Sequence, residues 1–323
     1  MKTSLLARFA ENLFWLARYV ERAENTARIL EVTETFTHDA RGDQDWQSIL
    51  EINSDVEAFR EAHTRTDIAS IVHFYMLDPK NTTSIRSSIA AARFNARALR
   101  HLISTEMWNQ INVFQASVAA LRRRDVTPAK LAGVCKRIRE SCQAHSGITE
   151  GTLYRDESWS FYWIGRTVER ADQTSRLVDI GYRRALASEG GLAARAQDSH
   201  WGALLRSASA YQAFRRAHPV SMSAPEVVRF LFHDGELPRS LTTALADCDM
   251  HMERLAVLHD LETSRAARDI LRDVRRVVAS ADVGSLIDPE AGPSGLHGFV
   301  DDVQQRLTGF TETLGRDCFA HDE

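Results

Sequence analysis

Residues 14–30 read FWLARYVERAENTARIL, and residues 162–178 read YWIGRTVERADQTSRLV. At this offset of 148 residues, eight of the seventeen aligned positions are identical. The identical pairs, most of them polar, are Trp15/Trp163, Arg18/Arg166, Val20/Val168, Glu21/Glu169, Arg22/Arg170, Ala23/Ala171, Thr26/Thr174 and Arg28/Arg176. Two unrelated amphipathic helices share only an apolar period, whereas the same Arg, Glu and Thr at the same offsets indicate an internal duplication.

Two further blocks of the chain repeat in the same order. Residues 46–63 (WQSILEINSDVEAFREAH) match residues 201–218 (WGALLRSASAYQAFRRAH) at an offset of 155. Residues 72–84 (VHFYMLDPKNTTS) match residues 228–240 (VRFLFHDGELPRS) at an offset of 156. Three blocks in one order, with slowly growing offsets, indicate a duplication followed by small insertions.

Apolar residues recur at helical spacing along nearly the whole chain. Leu13, Leu16 and Val20 begin a stripe at intervals of three and four residues, which is typical of an amphipathic helix. The same test predicts helices over roughly 9–37, 45–63, 67–77, 82–121, 127–155, 157–187, 199–216, 224–233, 239–282 and 296–318. Residues 71–77 could also form a buried strand, but the matching segment begins with Ser223 followed by Ala-Pro-Glu, which is typical of a helix start.

The helical period and the repeated blocks together define the predicted fold. We predict an all-α protein, a helical bundle built from two internally duplicated halves related by a pseudo-two-fold axis. The first repeat spans residues 1–155 and the second 156–323, and the two form one fused domain over residues 1–318. Loops are expected at 190–191 and at 288–298, of which the second is expected to be mobile.

Composition and charge narrow the class of protein. The chain has 323 residues, 44% of them hydrophobic, and a net charge of −4 with acidic and basic residues interspersed. This length suffices for a large core, and the balanced charge gives no reason to expect nucleic acid or a membrane as a partner. The N-terminal segment lacks the apolar run of a signal peptide or a membrane span, so we expect a cytoplasmic protein.

Strong catalytic and metal-binding motifs are absent from the sequence. It contains no glycine-rich phosphate loop and no GxSxG, HExxH or CxxC pattern, so neither a cofactor nor a metal site is predicted. The four cysteines, which lack paired spacing and are expected to be free thiols, are Cys135, Cys142, Cys248 and Cys318.

The histidines and acidic residues of the two halves do not change this prediction. Asp249, His251 and Glu253 have metal-binding side chains, but their spacing splits them around a helix, and we reject them as a site. His63 and His218 match each other at a helix end, where a C-terminal capping interaction accounts for them.

The repeated helix has a polar face whose identical residues need an explanation. This face carries Arg18, Glu21, Arg22, Asn25 and Arg28 in the first copy, and Arg166, Glu169, Arg170 and Arg176 in the second. One interpretation is a solvated face stabilised by ion pairs within each helix. Another is a set of buried pairs across the pseudo-two-fold axis, Glu21 with Arg170 or Arg22 with Glu169. A third is a pocket whose guanidinium groups bind a carboxylate or a phosphate.

A second cationic stripe occurs in the first half alone. In residues 92–112 (ARFNARALRHLISTEMWNQIN), a continuous helix would carry on one stripe Arg93, Arg97, Arg100 and Ser104. Asn95 and Glu106 would lie on the opposite stripe, and Asp249, His251 and Glu253 replace three of these residues in the second half. The stripe is either an asymmetric anion site or a helix surface salt-bridged to the acidic second half.

These motifs resemble the alpha-E domain family, bacterial all-helical proteins named for a Glu-Arg motif. The resemblance covers nearly the whole chain and rests on residues 6–30, 77–112, 162–182 and 230–240. It implies a circularly permuted ATP-grasp protein and a transglutaminase-like protein as partners, and a part in amide-bond or peptide-modifying metabolism. Carried over onto this sequence, the family motif falls on Glu21, Arg22, Glu169 and Arg170, and on Arg93, Asn95, Arg97, Arg100, Glu106 and Trp108. Phe94 departs from the family pattern, which more often has a charged residue there.

Three hypotheses about function follow. The leading one is a helical, non-catalytic accessory or binding component of an ATP-grasp-linked system, which binds a carboxylate or phosphate group through an arginine-rich face. The alternative is an enzyme acting on an amide or an activated carboxylate, with Glu21 or Glu169 as the acid/base. The third is a structural oligomeric scaffold, which predicts that the repeated Glu-Arg pairs are buried and leaves a homo-oligomer open.

Overall fold

A computed structural model describes residues 5–37, 42–188, 194–220, 222–259, 264–288 and 295–319. Every regular element within these ranges is a helix, so the prediction of an all-α protein is confirmed. The first seven α-helices are α1 (Ala7–Thr37), α2 (Gly42–Ile52), α3 (Val56–Ala62), α4 (Ile68–Met76), α5 (Ile85–Ala98), α6 (Thr105–Ala120) and α7 (Pro128–Thr152), with a short 3-10 helix at Arg123–Asp125. The others are α8 (Glu157–Ser188), α9 (Ala194–Ser207), α10 (Tyr211–Ala217), α11 (Ala224–His233), α12 (Leu241–His259), α13 (Arg265–Ala279), α14 (Val283–Leu286) and α15 (Leu296–Cys318).

The chain divides into two compact units, Met1–Arg166 and Thr167–Glu323. The division falls inside α8, so this long helix contributes its first residues to unit 1 and the remainder to unit 2. A compact unit need not coincide with a sequence repeat. The repeat boundary at 155/156 and the fused domain over residues 1–318 therefore stay predictions.

Unit 1 is organised around α1. This helix packs against α5 and α7, and α6 packs against both of those helices. The apolar stripe predicted for α1 is its buried face, because Leu13, Leu16 and Val20 are all in the core. A stripe at this spacing buries one whole side of a helix, which is the main source of its stability.

Unit 2 has a comparable helical core. Its helix α13 packs against both α12 and α15, and α11 contacts α9, α12, α13 and α14. The second unit's part of α8 is joined to the loop after α14, because the Tyr182 hydroxyl donates a hydrogen bond to the Ile287 carbonyl at 2.6 Å.

Several predicted long helices are interrupted. The helix predicted over 82–121 is two helices, α5 and α6, because Ser104 begins a new helix by accepting a hydrogen bond from Met107 N–H at 3.0 Å. Within the helix predicted over 239–282, the structure describes two helices, α12 and α13, and residues 260–263 lie outside the described residues. The apolar period continues across such breaks and therefore conceals them.

Two other breaks share one unusual backbone geometry. The helices predicted over 45–63 and 199–216 are broken at matching serines, Ser54 with φ 58° and Ser209 with φ 56°. A positive φ is uncommon for serine, because its side chain is crowded in the left-handed region. The same break therefore occurs at the same position of both sequence blocks.

Aromatic packing after these breaks is also the same in the two units. The His63 ring stacks on Phe59 at 4.7 Å, and both rings meet the edge or face of Phe74. In unit 2, the His218 ring stacks on Phe214 at 4.6 Å, and Phe230 takes the place of Phe74. Both histidines are the C-cap residues of their helices, as expected, but their rings pack on phenylalanine.

The third repeated block folds into the same turn in each unit. The Ser84 hydroxyl donates to the Asp78 carbonyl at 2.8 Å and accepts from Ser87 N–H. The Ser240 hydroxyl donates to the Asp234 carbonyl at 2.6 Å and accepts from Thr243 N–H. Each serine thereby begins the helix that follows, α5 in unit 1 and α12 in unit 2.

Other sequence predictions have mixed outcomes. Residues 68–76 are helical, and Ser223 begins α11 with a capping box, both as predicted. The loop at 190–191 and residues 289–294 of the predicted mobile loop lie outside the described residues. Among the helices described, none combines the length and the apolar character needed to span a membrane.

Candidate functional site

The repeated polar face of α1 is buried. Glu21 is only 2% exposed, and the other buried polar residues of this face are Glu24, Asn25, Thr26 and Arg28. A charged side chain without solvent must be paired, because burying an isolated charge costs many kcal/mol. The interpretation of this face as a solvated surface is therefore wrong for these residues.

Glu21 is paired with the first part of α8. Its Oε2 lies 3.2 Å from Arg166 Nε, and the Arg166 guanidinium also lies over the Trp163 ring at 4.7 Å. Two turns further along α1, Arg28 Nη2 lies 2.6 Å from Glu24 Oε1. Arg28 thus has Glu24 as a partner, a residue that the sequence analysis did not single out although its spacing of four was visible.

The two remaining arginines of this face are half-buried against aromatic rings. The Arg18 guanidinium lies 4.8 Å from the Trp15 ring centroid, and the Arg22 guanidinium lies 5.8 Å from that of Tyr19. Such contacts fix a guanidinium and shield one of its faces. They hold both arginines close to the surface of α1.

A neutral polar cluster lies behind the Glu21–Arg166 pair. His145 is fully buried, and its Nδ1 lies 3.0 Å from Gln110 Oε1. Burial, and then the nearby charge of Arg166, lowers the His145 pKa to about 4. Burial raises the pKa of the Tyr162 hydroxyl to about 12, and it also raises the pKa of the Cys142 thiol. All three groups are therefore neutral at neutral pH, and the charge in this region resides in the ion pairs.

His145 should make the stability of unit 1 depend on pH. In the unfolded chain it binds a proton below pH 6.5, whereas in the folded chain it stays neutral down to about 4. The contribution of neutral His145 to the free energy of unfolding is fully present above pH 6.5 and is lost as the pH falls towards 4. This loss amounts to at most about 3 kcal/mol. Urea unfolding at pH 7 and pH 4.5 should show a smaller loss for His145→Gln than for the wild type. An equal loss in both proteins would contradict this assignment.

The matching motif in unit 2 holds a loop in place. Glu169 is completely buried, and Arg170 Nη1 donates to the Pro238 carbonyl at 3.2 Å. Thr174 Oγ1 donates to the Arg239 carbonyl at 3.0 Å. Arg176 pairs with Asp172 of its own helix at 3.1 Å. Arg170 and Thr174 therefore fix the connection between α11 and α12, which is a structural role.

The cationic stripe of the first half is rearranged by the break between α5 and α6. Asn95 is buried in α5, while Glu106 is exposed in the first turn of α6, so these two residues do not share one helix face. Ser104 caps α6 and is not a continuation of the stripe. The prediction of one continuous stripe is therefore wrong.

Three arginines of the predicted stripe nevertheless remain close together, and two of them lie over the same indole ring. Arg93 and Arg100 lie over the Trp108 ring at 5.6 Å and 5.0 Å, and Arg93 Nε donates to Asn112 Oδ1 at 2.6 Å. Arg97 lies one turn after Arg93 and is exposed, as is Arg100. We call Arg93, Arg97, Arg100 and Trp108 the arginine–tryptophan face. In the part of the chain that the structure describes, neither Arg97 nor Arg100 forms a salt bridge.

The aligned acidic residues of unit 2 have partners within that unit. Asp249 pairs with Arg275, and Glu253 lies 3.1 Å from Arg272 on α13. His251 is buried, which lowers its pKa to about 4. The three residues therefore have separate surroundings within unit 2.

The chain belongs to the Alpha-E family. The family model, described as a predicted alpha-helical domain with a conserved ER motif, matches residues 5–319. Similar proteins include the uncharacterised proteins Rv2567 and MT2643 of Mycobacterium tuberculosis and Mb2597 of Mycobacterium bovis, each 24% identical over 264 residues. Each match covers 74% of this chain but 28% of the relative, so this chain spans well under two thirds of their length. No solved structure matches the chain.

Proposed function

We propose that this chain is a helical binding component of an ATP-grasp-linked amide- or peptide-modifying system. In this proposal, the arginine–tryptophan face binds a carboxylate or phosphate group of the partner or of its product. The observation that carries it is the convergence of Arg93 and Arg100 on Trp108, with Arg97 exposed beside them. Guanidinium groups bind such anions through paired hydrogen bonds, and an aromatic ring beneath them keeps them oriented.

Because the glutamates of the Glu-Arg motif are buried, we assign the binding role to the arginine–tryptophan face. Glu21 and Glu169 are almost without solvent exposure, and Arg166 already occupies one oxygen of Glu21. An acid/base group must come within hydrogen-bonding distance of the substrate. The buried state of both carboxylates therefore disfavours the enzyme hypothesis and favours a structural role for the motif.

We also propose that the two halves arose by duplication. The matched serines with positive φ, the matched histidine–phenylalanine stacks and the matched serine turns support a common ancestor. These features involve backbone geometry and buried rings, which independent sequences would rarely reproduce at aligned positions. A pseudo-two-fold relation of the halves stays part of this proposal.

The identity of the partner follows from the family resemblance. We propose a circularly permuted ATP-grasp protein as the principal partner, with a transglutaminase-like protein in the same system. The match covers only 28% of each mycobacterial relative, so most of each relative lies outside the matched segment. This supports a function in which the helical domain works together with other protein segments. A cytoplasmic location is part of the same proposal.

Coexpression with the ATP-grasp protein of the same organism tests this function. The tagged wild-type chain should retain that protein, and Arg97→Gln and Arg100→Gln should each weaken binding roughly tenfold or more, since a charge-assisted hydrogen bond is lost. Arg137→Gln removes an exposed arginine of α7 and is the matched control, which should bind like the wild type. Failure of the wild type to bind, or equal binding by all variants, would contradict the proposal.

A further inference from the structure

Three metal-binding side chains of unit 1 come together where α3 and α4 end. His63 is the C-cap residue of α3, His73 lies in the last turn of α4, and Asp78 follows that helix. One ring nitrogen of each histidine and one carboxylate oxygen of Asp78 all lie within 4.8 Å of one another. Their spacing in sequence, ten and five residues, gives no recognisable motif, because the two histidines belong to different helices.

Both imidazoles contain a buried nitrogen with an unmet hydrogen-bonding capacity. Nδ1 of His63 and Nδ1 of His73 are inaccessible to solvent, and neither has a hydrogen-bond partner among the described residues. Such a group costs about 1–3 kcal/mol, so each case needs a physical reason. Coordination through Nδ1 would give both nitrogens a partner at once. From these observations we propose that His63, His73 and Asp78 bind a divalent transition-metal ion of the zinc type.

The surrounding contacts restrict the His63 ring and the Asp78 carboxylate before any ion binds. The His63 ring is stacked on Phe59 with an angle of 7° between the planes, and it packs against the Phe74 ring at 5.7 Å. Asp78 Oδ1 accepts a hydrogen bond from Lys80 N–H at 2.9 Å, which fixes the carboxylate and leaves its other oxygen for a metal. Restricting two of the three ligands in this way reduces the entropy lost when an ion binds.

The ligand set selects the class of ion. Two imidazoles and one carboxylate suit zinc and its neighbours in the transition series, whereas calcium and magnesium prefer oxygen ligands alone. Zinc–ligand bonds of about 2.0–2.1 Å in a tetrahedron place the ligand atoms roughly 3.4 Å apart, so side-chain rotations must close the present separation. Water completes the coordination, as in sites with three protein ligands.

Two arginines limit the affinity of this site. Arg123 and Arg86 are close enough to His73 to act on its charge, and they oppose a bound cation. Arg86 is held by a hydrogen bond from its Nη2 to the Leu121 carbonyl at 2.6 Å, so its position is fixed. The negative charge of Asp78 offsets one of these positive charges.

Unit 2 contains a matching position that lacks one of the three ligands, and this position serves as a control for the proposal. His218 and Asp234 align with His63 and Asp78, but Arg229 stands at the position of His73. The His218 ring is stacked on phenylalanine in the same way as His63, and its Nδ1 is likewise buried with no hydrogen-bond partner among the described residues. Removing His218 therefore removes an equivalent histidine from a place that lacks the second imidazole.

Zinc titration of the chelator-treated full chain tests the proposal, with calorimetry for affinity and cobalt absorption for coordination geometry. The wild type should bind one ion per chain, and His73→Ala and Asp78→Asn should each weaken binding by about 100-fold, because a direct ligand is lost. Asp78→Asn keeps the acceptor for Lys80 N–H, so its effect reports coordination and not the folding of the loop. His218→Ala should bind as the wild type does.

Circular dichroism and thermal unfolding identify any variant that fails to fold. Zinc should raise the melting temperature of the wild type and of His218→Ala, but not that of His73→Ala or Asp78→Asn. The proposal is overturned if the wild type binds no zinc, if folded His73→Ala and Asp78→Asn bind it as tightly as the wild type, or if His218→Ala loses as much affinity as they do.

Discussion

Replacing Gly165 by alanine should destabilise the chain by more than about 3 kcal/mol. A Cβ atom on Gly165 would lie 2.2 Å from the Phe14 carbonyl oxygen and 2.9 Å from its carbonyl carbon. Both are main-chain atoms of α1, so no side-chain rotation can relieve the clash. The first part of α8 would have to move away from α1, which would loosen the packing of Phe14, a fully buried residue.

Urea unfolding of Gly165→Ala and Gly147→Ala measures this effect. Gly147 lies on the exposed side of α7, and a Cβ atom there would meet nothing within 4 Å. Alanine should therefore leave stability unchanged at Gly147 or raise it by up to about 1 kcal/mol, because alanine favours helix more than glycine does. Equal stability of the two variants would contradict the close approach of α1 and α8 at Phe14.

Glu21→Ala should cost about 3–5 kcal/mol. The substitution leaves Arg166 without the carboxylate that lies 3.2 Å from its Nε, and the side chain of this arginine is only 16% exposed. Removing one member of a buried ion pair costs more than the pair itself contributes, because the remaining charge is uncompensated. The double variant Glu21→Leu/Arg166→Met should therefore regain a large part of the lost stability.

A solvent-exposed ion pair on α7 provides the comparison for Glu21. Lys136 and Glu140 lie 3.9 Å apart on α7, and their side chains are 66% and 58% exposed. Glu140→Ala should change the free energy of unfolding by no more than about 0.5 kcal/mol. Comparable losses for Glu21→Ala and Glu140→Ala, measured by urea unfolding, would show that the Glu21–Arg166 pair is not part of the core.

The sequence predicted well those features that depend on local periodicity. The stripe of Leu13, Leu16 and Val20 identified the buried face of α1, and α15 begins and ends where the pattern placed it. The helix breaks at Ser54 and Ser209 were missed, because both occur inside apolar patterns that remain in phase across the break. Their agreement between the two blocks was nevertheless visible as an identical serine.

Periodicity within one helix does not predict which side chains of different helices are in contact. Besides partners within α1, the sequence predicted Arg170 of the second copy as a partner of Glu21. The structure places Arg166, one turn earlier on α8, 3.2 Å from Glu21. Arg93 and Arg100 were grouped by helical spacing, yet what joins them is Trp108 on the next helix. The grouping of His63 with His73 depends on ring contacts between residues at α3 and at α4, which no spacing within one helix could reveal.

Labelling of arginines with phenylglyoxal, read by mass spectrometry with and without the ATP-grasp partner, tests the central claim most directly. That claim is that the Glu-Arg helix supports the fold while the arginine–tryptophan face makes the contact. Arg97 and Arg100 should be labelled in the free chain and protected in the complex, Arg137 should be labelled in both, and Arg28 should be labelled only after unfolding. A complex in which Arg97 and Arg100 stay as reactive as in the free chain would contradict the account.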